Sequence, residues 1–318
     1  MTVKRGKAKL FRSNYSSTDN KTIYSWEDLI QIYMFAKESE NLSKGSLNNK
    51  RESIKLLFKF FEVYEYELKP HELDTNICRE FVNYLKKDHI KFENNHCVKK
   101  KDKTIGLSIS TINSNLKHLK SMFNFWVSEG YLESNPFKKV RQISEPIDTV
   151  ESITMEQVAK LLKQPDRRTF AGFRDYVLIT LLVDTGLRIS EAINLKFSDI
   201  DFKSNTIQIR PEIAKSRRVR YVPFSYKTNR LLRELRSEVE ELGTPYMFVT
   251  VYGNQLDRAR IRQRMRKYGE QAGLVGIKIS PHVLRHTFAK YYLLNNGDLM
   301  TLQKILGHSS LKMVRRYI

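Results

Sequence analysis

Apolar residues recur at helical spacing through the first part of the chain. In two segments they are spaced so that apolar side chains share one face of a helix. The residues on these faces are Leu47, Ile54, Leu57, Phe58 and Phe61 in the first segment, and Ile112, Leu116, Leu119, Phe123 and Trp126 in the second. Ser110 is placed to cap the second helix and Gly130 to end it. Residues 23–140 are therefore predicted to form a small, basic, all-helical domain.

A different pattern begins after residue 153. Residues 154–157 form a capping box, which starts a new helix. Residues 176–183 are apolar nearly all round, as in a buried helix, and Gly186 is placed to end that helix. The intervening residues 141–153 have few apolar anchors and are predicted to be a linker.

Two short runs in the second part have the alternation of β-strands. Residues 206–209 form the first run, and residues 218–224 form the second, which ends where Pro223 prevents further pairing. The runs flank a basic turn at Lys215, so a hairpin is predicted. Helical patterns then continue to the C-terminus, and the predicted fold class is mainly α with a small antiparallel β-sheet (α+β).

Charge narrows the choice of partner. The chain of 318 residues has 56 lysines and arginines against 35 aspartates and glutamates, a formal net charge of +21. Such an excess repels itself unless a polyanion offsets it, so nucleic acid is the favoured partner. Residues 1–22 are basic and rich in serine and asparagine, and they are predicted to form a flexible arm.

Cysteine content and apolar runs exclude other classes. Cys78 and Cys97 are the only cysteines and form no pair with metal-ligand spacing, so a disulfide framework is excluded and a reducing cytoplasm fits. No apolar run approaches membrane-spanning length, and the start of the chain lacks an apolar stretch for secretion. A cytoplasmic protein with no membrane partner is therefore predicted.

The first segment with candidate chemistry is TGLRISE at residues 185–191. Arg188 follows a helix stop at the opening of the next helix, where its guanidinium could grip two phosphate oxygens. Glu191 lies on the same helical face and could hold that guanidinium in place. For this segment alone, a surface salt bridge is the simpler alternative.

The second segment is the hairpin turn with Lys215. A lysine on a turn is usually solvated, but an ammonium over a cleft can donate a proton to a leaving alkoxide. Arg217, Arg218 and Arg220 crowd the same turn. Which of these cations would act as the acid stays open.

The third segment is SPHVLRH at residues 280–286. Ser280 is a natural helix cap and Pro281 suits the first helical position. His282 is then expected in the first turn, with Arg285 one turn later on the same face. A helix N-terminus, an imidazole and a guanidinium would converge there on an anion site. His286 points elsewhere and is interpreted as structural.

The fourth segment is LGHSS at residues 306–310, followed by Tyr317. Gly307 is predicted to end a helix that begins near Asp298, with His308 emerging from the turn. Most tyrosines are packing residues. Tyr317 follows two arginines near the end of a polar helix, which is a poor position for a core residue.

Together the four segments supply two guanidiniums, two imidazoles, one lysine and one tyrosine, without an acidic cluster that would hold a metal. Phosphoryl transfer without Mg²⁺ requires such groups. Fixed cations neutralise the charge growing on the equatorial oxygens. A proton donor serves the leaving oxygen, and an activated hydroxyl attacks. Neither a metal nor a cofactor is predicted.

The second part of the chain contains, in this order, TGLRISE, a basic hairpin lysine, HVLRH, LGH and a tyrosine nine residues after the last histidine. This series resembles the tyrosine recombinase family of phage integrases and Xer-like resolvases. The resemblance implies that residues 154–318 are the catalytic domain. Residues 23–140 look like the family's helical, SAM-like core-binding domain, notably from Ser110 to Pro136. The two domains would form a clamp around duplex DNA.

The resemblance also implies a role for each residue. Arg188 and Arg285 would clamp the scissile phosphate, and His308 would hydrogen-bond a phosphoryl oxygen. Glu191 matches an acidic position that often lies behind these groups in the family.

The remaining roles concern proton transfer and attack. Lys215 would be the general acid for the 5′-hydroxyl leaving group, although the glycines that often flank this lysine in the family are absent here. His282 would take or return the tyrosine proton. Tyr317 would be the nucleophile and form a 3′-phosphotyrosine.

The family also implies the partners. Double-stranded DNA with paired inverted core sites would bind a dimer at each site and a tetramer in synapsis, with accessory DNA-bending proteins and a nucleoid location. Family members usually continue beyond the tyrosine with a segment that docks on a neighbouring protomer, whereas this chain stops one residue after Tyr317. A truncated chain and an assembly held by other contacts both remain open.

The leading hypothesis is a recombinase that integrates or excises a mobile element. A Xer-like resolvase of chromosome or plasmid dimers is the alternative within the family. A catalytically silent, sequence-specific DNA-binding protein and a type IB topoisomerase are the alternatives from other classes.

Overall fold

The computed structural model describes residues 24–91, 93, 103–145, 151–214 and 217–307. The chain divides into two compact units, Met1–Ile147 and Asp148–Ile318. The predicted arm at 1–22 lies outside the described residues. Within the predicted linker, residues 141–145 and 151–153 are described, and they contain neither helix nor strand. Over the described ranges, no helix is both long enough and apolar enough to cross a bilayer.

The described part of the first unit is helical. Its helices are α1 at Trp26–Ser39, α2 at Lys44–Val63, α3 at Thr75–Lys87 and α4 at Ile109–Ser128. Each begins at a side-chain oxygen that accepts a backbone N–H from the first turn, a group without an intrahelical partner. The prediction that Ser110 caps α4 is wrong. The chain is still extended at Ser108 (φ −61°, ψ 149°), whose hydroxyl caps the helix, and Ser110 already lies inside the first turn.

The predicted apolar faces form the core of the first unit. All five residues of the α4 face are fully buried, and four of the five on α2 are buried. The fifth, Phe58, is partly buried and packs edge-to-face on Trp26. Phe60, which the pattern did not include, is fully buried as well. Trp126 donates its indole N–H to the carbonyl oxygen of Leu29 at 2.8 Å, so its polar atom is satisfied inside the core.

Asn135 fixes the loop that follows α4. Its amide donates to Oδ1 of Asn124 at 2.7 Å and to the carbonyl of Lys120 at 3.2 Å. Its own oxygen accepts the backbone N–H of Phe137 at 2.8 Å. Phe137 is fully buried, so one amide side chain ties the loop both to the helix and to the core.

The second unit combines helices with a small sheet. Its helices are α5 at Met155–Leu162, α6 at Phe170–Thr185, α7 at Ile189–Ala192, α8 at Tyr226–Glu240, α9 at Arg258–Gln271, α10 at Pro281–Leu294 and α11 at Leu299–Leu306. The capping box at Thr154 and Gln157 opens α5 as predicted. Helix α6 is buried along residues 176–182 and packs against α8 and α10. Left-handed glycines end two of the helices, Gly186 after α6 and Gly307 after α11, and both were predicted.

The sheet has three antiparallel strands in the order β1-β2-β3: Ile200–Asp201, Thr206–Ile209 and Arg220–Pro223. The predicted hairpin is confirmed as the β2–β3 pair. Strand β1 was not predicted, because two residues are too few to show an alternating pattern. The observed mixture confirms the predicted fold class.

A buried ionic network holds α9 to α6. Asp175 on α6 pairs with Arg174 at 2.7 Å and with Arg264 of α9 at 2.5 Å, and it accepts the hydroxyl of Tyr268 at 2.9 Å. Arg174 also donates to the carbonyl of Val249 at 2.8 Å. Burial, and then the charge of Asp175, raises the pKa of Tyr268. The network fixes the position of a helix whose outer face is strongly basic.

Candidate active site

Arg188 lies at the junction that the sequence predicted. Gly186 ends α6 with φ 62°, and Arg188 is the extended residue that precedes α7. Its Nη1 donates to Oε1 of Glu191 at 3.0 Å, and its backbone N–H donates to Oε2 at 2.9 Å. Its Nη2 lies 3.5 Å from the carbonyl oxygen of Gly307. The predicted contact between Arg188 and Glu191 is therefore present, and it is not a surface salt bridge, because the side chain of Glu191 is completely buried.

Glu191 has a second and closer partner in Arg220. Arg220 donates from Nη1 to Oε1 at 3.0 Å and from Nη2 to Oε2 at 2.6 Å, a two-pronged contact. Burial by itself raises the pKa of a carboxyl group such as Glu191. The hydrogen bonds and charge of Arg220, with the further contribution of Arg188, outweigh burial and lower the pKa below its ordinary value. Glu191 is therefore an ionised carboxylate between two guanidiniums.

Arg285 projects inward from α10. Ser280 caps this helix and Pro281 is its first residue, as predicted. Arg285 is buried and donates from Nη1 to the carbonyl of Gly186 and from Nη2 to the carbonyl of Leu306, both at 2.7 Å. It therefore links the end of α6 to the end of α11. His282, one turn earlier, is exposed.

Three arginines thus converge on the C-terminal end of α11. Arg220 donates to the carbonyl of Ile305 at 2.8 Å, Arg285 to that of Leu306, and Arg188 lies nearest that of Gly307. The last carbonyls of a helix lack intrahelical partners and carry partial negative charge, so they attract cations. We call Arg188, Arg220, Arg285 and Glu191 the arginine cluster. It holds three positive charges against one negative charge, which suits a phosphate.

Three of the predicted residues lie outside the described part of the chain: Lys215, His308 and Tyr317. Their neighbours are described. Residues 209 and 220 pair at the end of the hairpin that contains Lys215, and Gly307 precedes His308 in the sequence. His286 is half-buried on α10.

Sequence reasoning missed the position of Arg220, which it grouped with the cations of the turn. The alternation of inward and outward side chains along a strand could have indicated that Arg220 points inward. Val222 is an inward position of β3, so Arg220 lies on the same face. It is opposite Ile209 in the register, and both are buried. Arg218 in the turn is exposed.

No group of three or more histidine, cysteine, aspartate or glutamate residues in the described ranges is arranged to hold a metal ion. Asp199, another buried acid of the second unit, pairs with Arg210 at 2.7 Å. The donors that the site offers are cationic, so the chemistry it can support is the stabilisation of an anion.

The fold is that of DNA-recombining enzymes. The lambda integrase fragment 75–356 was solved as a dimer bound to a core site. The match covers 92% of this chain and 95% of that fragment, at a TM-score of 0.70 and 15% identity. The Tn1549 transposon integrase was solved with a circular intermediate DNA. The match covers 91% of this chain and 94% of that one, at a TM-score of 0.67 and 19% identity.

Sequence comparison gives the family. The phage integrase family model matches residues 151–318, and the phage integrase SAM-like domain model matches residues 28–143. The tyrosine recombinase XerC of Oceanobacillus iheyensis is 35% identical over 220 residues, which are 66% of this chain and 70% of that protein. The chain belongs to the phage integrase family and is a tyrosine site-specific recombinase.

Proposed function

We propose that the chain cleaves and rejoins duplex DNA at paired inverted core sites through a 3′-phosphotyrosine at Tyr317. The observation that carries the proposal is the gathering of Arg188 and Arg285 at the end of α11, next to the residue that precedes His308. Each terminal nitrogen of a guanidinium has two hydrogens, so one nitrogen can serve a carbonyl and a phosphate oxygen together.

Each proposed role follows from the groups available. The hydroxyl oxygen of Tyr317 attacks the scissile phosphorus while His282 takes its proton. The bond from phosphorus to the 5′-oxygen breaks, and Lys215 protonates that oxygen. Arg188 and Arg285 neutralise the charge that grows on the equatorial oxygens.

The proposed reaction is reversible and nearly isoenergetic. His308 donates a hydrogen bond to a phosphoryl oxygen. Because the phosphodiester is stored as a phosphotyrosine, rejoining needs neither ATP nor a metal. His282 returns the proton to Tyr317 when the strand is resealed.

DNA binding is proposed for both units, with residues 23–140 as the core-binding domain and 154–318 as the catalytic domain. The net charge of +21 supports a polyanionic partner. In the second unit, α9 carries several exposed basic side chains that suit phosphate contacts: Arg258, Arg260, Arg262, Arg266 and Lys267. Affinity should fall by roughly 0.9 log unit per log unit of salt for each phosphate neutralised. The protein would then act on DNA of the nucleoid, as a dimer at each site and a tetramer in synapsis.

Integration or excision of a mobile element is the proposed biological role. A Xer-like role in resolving DNA dimers is the second candidate, and the 35% identity to XerC favours it. The two differ in their substrates. An integrase joins two different attachment sites, whereas a resolvase recombines two copies of one site.

The deciding experiment is to incubate the protein with supercoiled plasmids that carry DNA from the flanks of its own locus, in EDTA, and to quench with SDS. We expect a protein-linked 3′ end that is lost in Tyr317→Phe and retained in Tyr252→Phe, which alters an exposed tyrosine elsewhere in the same unit. An adduct formed by Tyr317→Phe would contradict the nucleophile. Relaxation by a monomer on a single site would favour a topoisomerase.

A further inference from the structure

Arg220 is the member of the arginine cluster to which the proposed chemistry gives no role. It is buried, and all three of its guanidinium nitrogens donate hydrogen bonds. Nε donates to the carbonyl of Ile305, and Nη1 and Nη2 donate to the two oxygens of Glu191. Its place on the inner face of β3 fixes the side chain against the end of α11.

These contacts remove Arg220 as a candidate for the general acid. A guanidinium is effectively always protonated in proteins. The contacts with Glu191 and Ile305 already engage all three of its nitrogens. A group that keeps its proton cannot donate it to a leaving 5′-oxygen.

Glu191 is the bridge between Arg220 and Arg188. Its Oε1 accepts from Nη1 of both arginines at 3.0 Å, and its Oε2 accepts from Nη2 of Arg220 and from the backbone N–H of Arg188. With Arg220 present, two of the four hydrogen bonds that the carboxylate accepts come from a residue other than Arg188. Without Arg220, a buried carboxylate would have only Arg188 as a charged partner and would draw that guanidinium away from a phosphate.

Arg220 also packs against the end of α11. A Cβ atom added to Gly307 would lie 3.2 Å from both Cδ and Nε of Arg220, which is tighter than ordinary packing. The backbone at Gly307 and the side chain of Arg220 are therefore in close contact. Gly307 is the last described residue before His308 and the segment with Tyr317.

We propose that Arg220 is a positioning residue for DNA cleavage. It holds Arg188 through Glu191 and holds the last turn of α11 through Ile305, so that the phosphate-binding group and the start of the segment with the nucleophile keep one fixed separation. The inference rests on the proposed function, because it assigns Arg188 to the scissile phosphate.

The test measures the single-turnover rate of covalent adduct formation at saturating DNA for Arg220→Met. We expect a loss of about 100-fold, the size of effect that a displacement of about 1 Å produces. DNA affinity and its salt dependence should stay as in the wild type, because the guanidinium of Arg220 is engaged by Glu191 and Ile305 and is not assigned to a phosphate. Arg220→Lys should cleave at an intermediate rate, since it keeps the charge but loses the planar fork.

The matched control is Arg174→Met. Arg174 is likewise buried, pairs with a buried carboxylate and donates to a backbone carbonyl, but it lies outside the arginine cluster. It should destabilise the second unit to a similar extent and leave the rate at saturating DNA unchanged. Equal slowing by both variants would mean that Arg220 is merely structural and would overturn the proposal. If Arg220→Met does not fold, a wild-type rate for Arg220→Lys would overturn it as well.

A second measurement separates positioning from acid catalysis. In a substrate with sulfur in place of the bridging 5′-oxygen, the leaving thiolate needs no proton. This substrate should restore cleavage by Lys215→Ala and should not restore cleavage by Arg220→Met. Rescue of Arg220→Met would make Arg220 the acid. An inactive wild type would contradict the proposed function, whereas an active wild type with an unimpaired Arg220→Met would contradict only the role of Arg220.

Discussion

Replacing Gly186 with alanine should disturb the arginine cluster, because the carbonyl of Gly186 is an acceptor of Arg285. Gly186 has φ 62° and ψ 22°, a left-handed conformation that disfavours any residue with a Cβ atom. That atom would lie 2.3 Å from Cδ1 of Phe288 and 3.0 Å from Cδ2 of Leu306. Because Arg285 donates to the carbonyls of both Gly186 and Leu306, a backbone shift that relieves the overlap also moves its acceptors.

The size of the effect follows from two separate costs. A left-handed conformation costs an L-residue about 1–2 kcal/mol. Forcing extra volume into a packed interior costs about 1–3 kcal/mol more. Gly243 supplies the control, because it has φ 64° and no atom within 4 Å of an added Cβ. Gly243→Ala should therefore show only the backbone cost, and the difference between the variants should be the packing cost.

The assay has to report on the second unit. Both tryptophans, Trp26 and Trp126, lie in the first unit, so their fluorescence does not follow unfolding around α6. Native-state hydrogen exchange of α6 peptides, measured by mass spectrometry, does. Gly186→Ala should lose more protection than Gly243→Ala and should also cleave more slowly at saturating DNA. Equal losses of protection in the two variants would refute the packing argument.

Three further predictions concern other contacts. Arg285→Lys should slow adduct formation by roughly 100- to 1000-fold in single-turnover assays, because the planar fork that is proposed to hold the phosphate is lost; a near-normal rate would contradict that proposed role. Because the folded-state pKa of Glu191 is lowered, its ionised form stabilises the protein above the ordinary pKa of 4.5. The stability advantage over Glu191→Gln, measured by hydrogen exchange, should therefore shrink as the pH falls through the lowered pKa; an advantage that grows on acidification would contradict the assignment. Asn135→Ala should lower the free energy of unfolding of the first unit by about 1–3 kcal/mol, because the buried N–H of Phe137 loses its acceptor. Denaturant unfolding followed by tryptophan fluorescence measures this change, and an unchanged midpoint would show that another group replaces the acceptor.

Sequence periodicity and capping chemistry predicted most of the fold because both act locally. Thr154, Ser280 and Gly186 were assigned correctly because each satisfies or ends a helix through its own side chain or backbone. Ser110 was assigned wrongly because another serine, Ser108, lies two positions earlier and competes for the same role. One-dimensional patterns do not rank such near-equivalent caps.

The site was harder to predict because its contacts are not local. Arg188 and Glu191 are three residues apart, and their contact was predicted from that spacing. The partner that uses both oxygens of Glu191 is Arg220, on a different element, and no periodicity joins the two. The acceptors of Arg285 at Gly186 and Leu306 are backbone carbonyls, which the amino-acid sequence does not mark. The catalytic roles of all six candidate residues stay predictions: Arg188, Lys215, His282, Arg285, His308 and Tyr317.

The carbonyls at the end of α11 also determine when during synthesis the site can form. The contact of Arg220 with Ile305 spans 85 residues, and that of Arg188 with Gly307 spans 119. A nascent chain emerges from its N-terminus, so most of the second unit leaves the ribosome before α11 provides these acceptors. Until then the arginines lack the carbonyls that hold them together. The arginine cluster is therefore expected to assemble only after α11 has been synthesised.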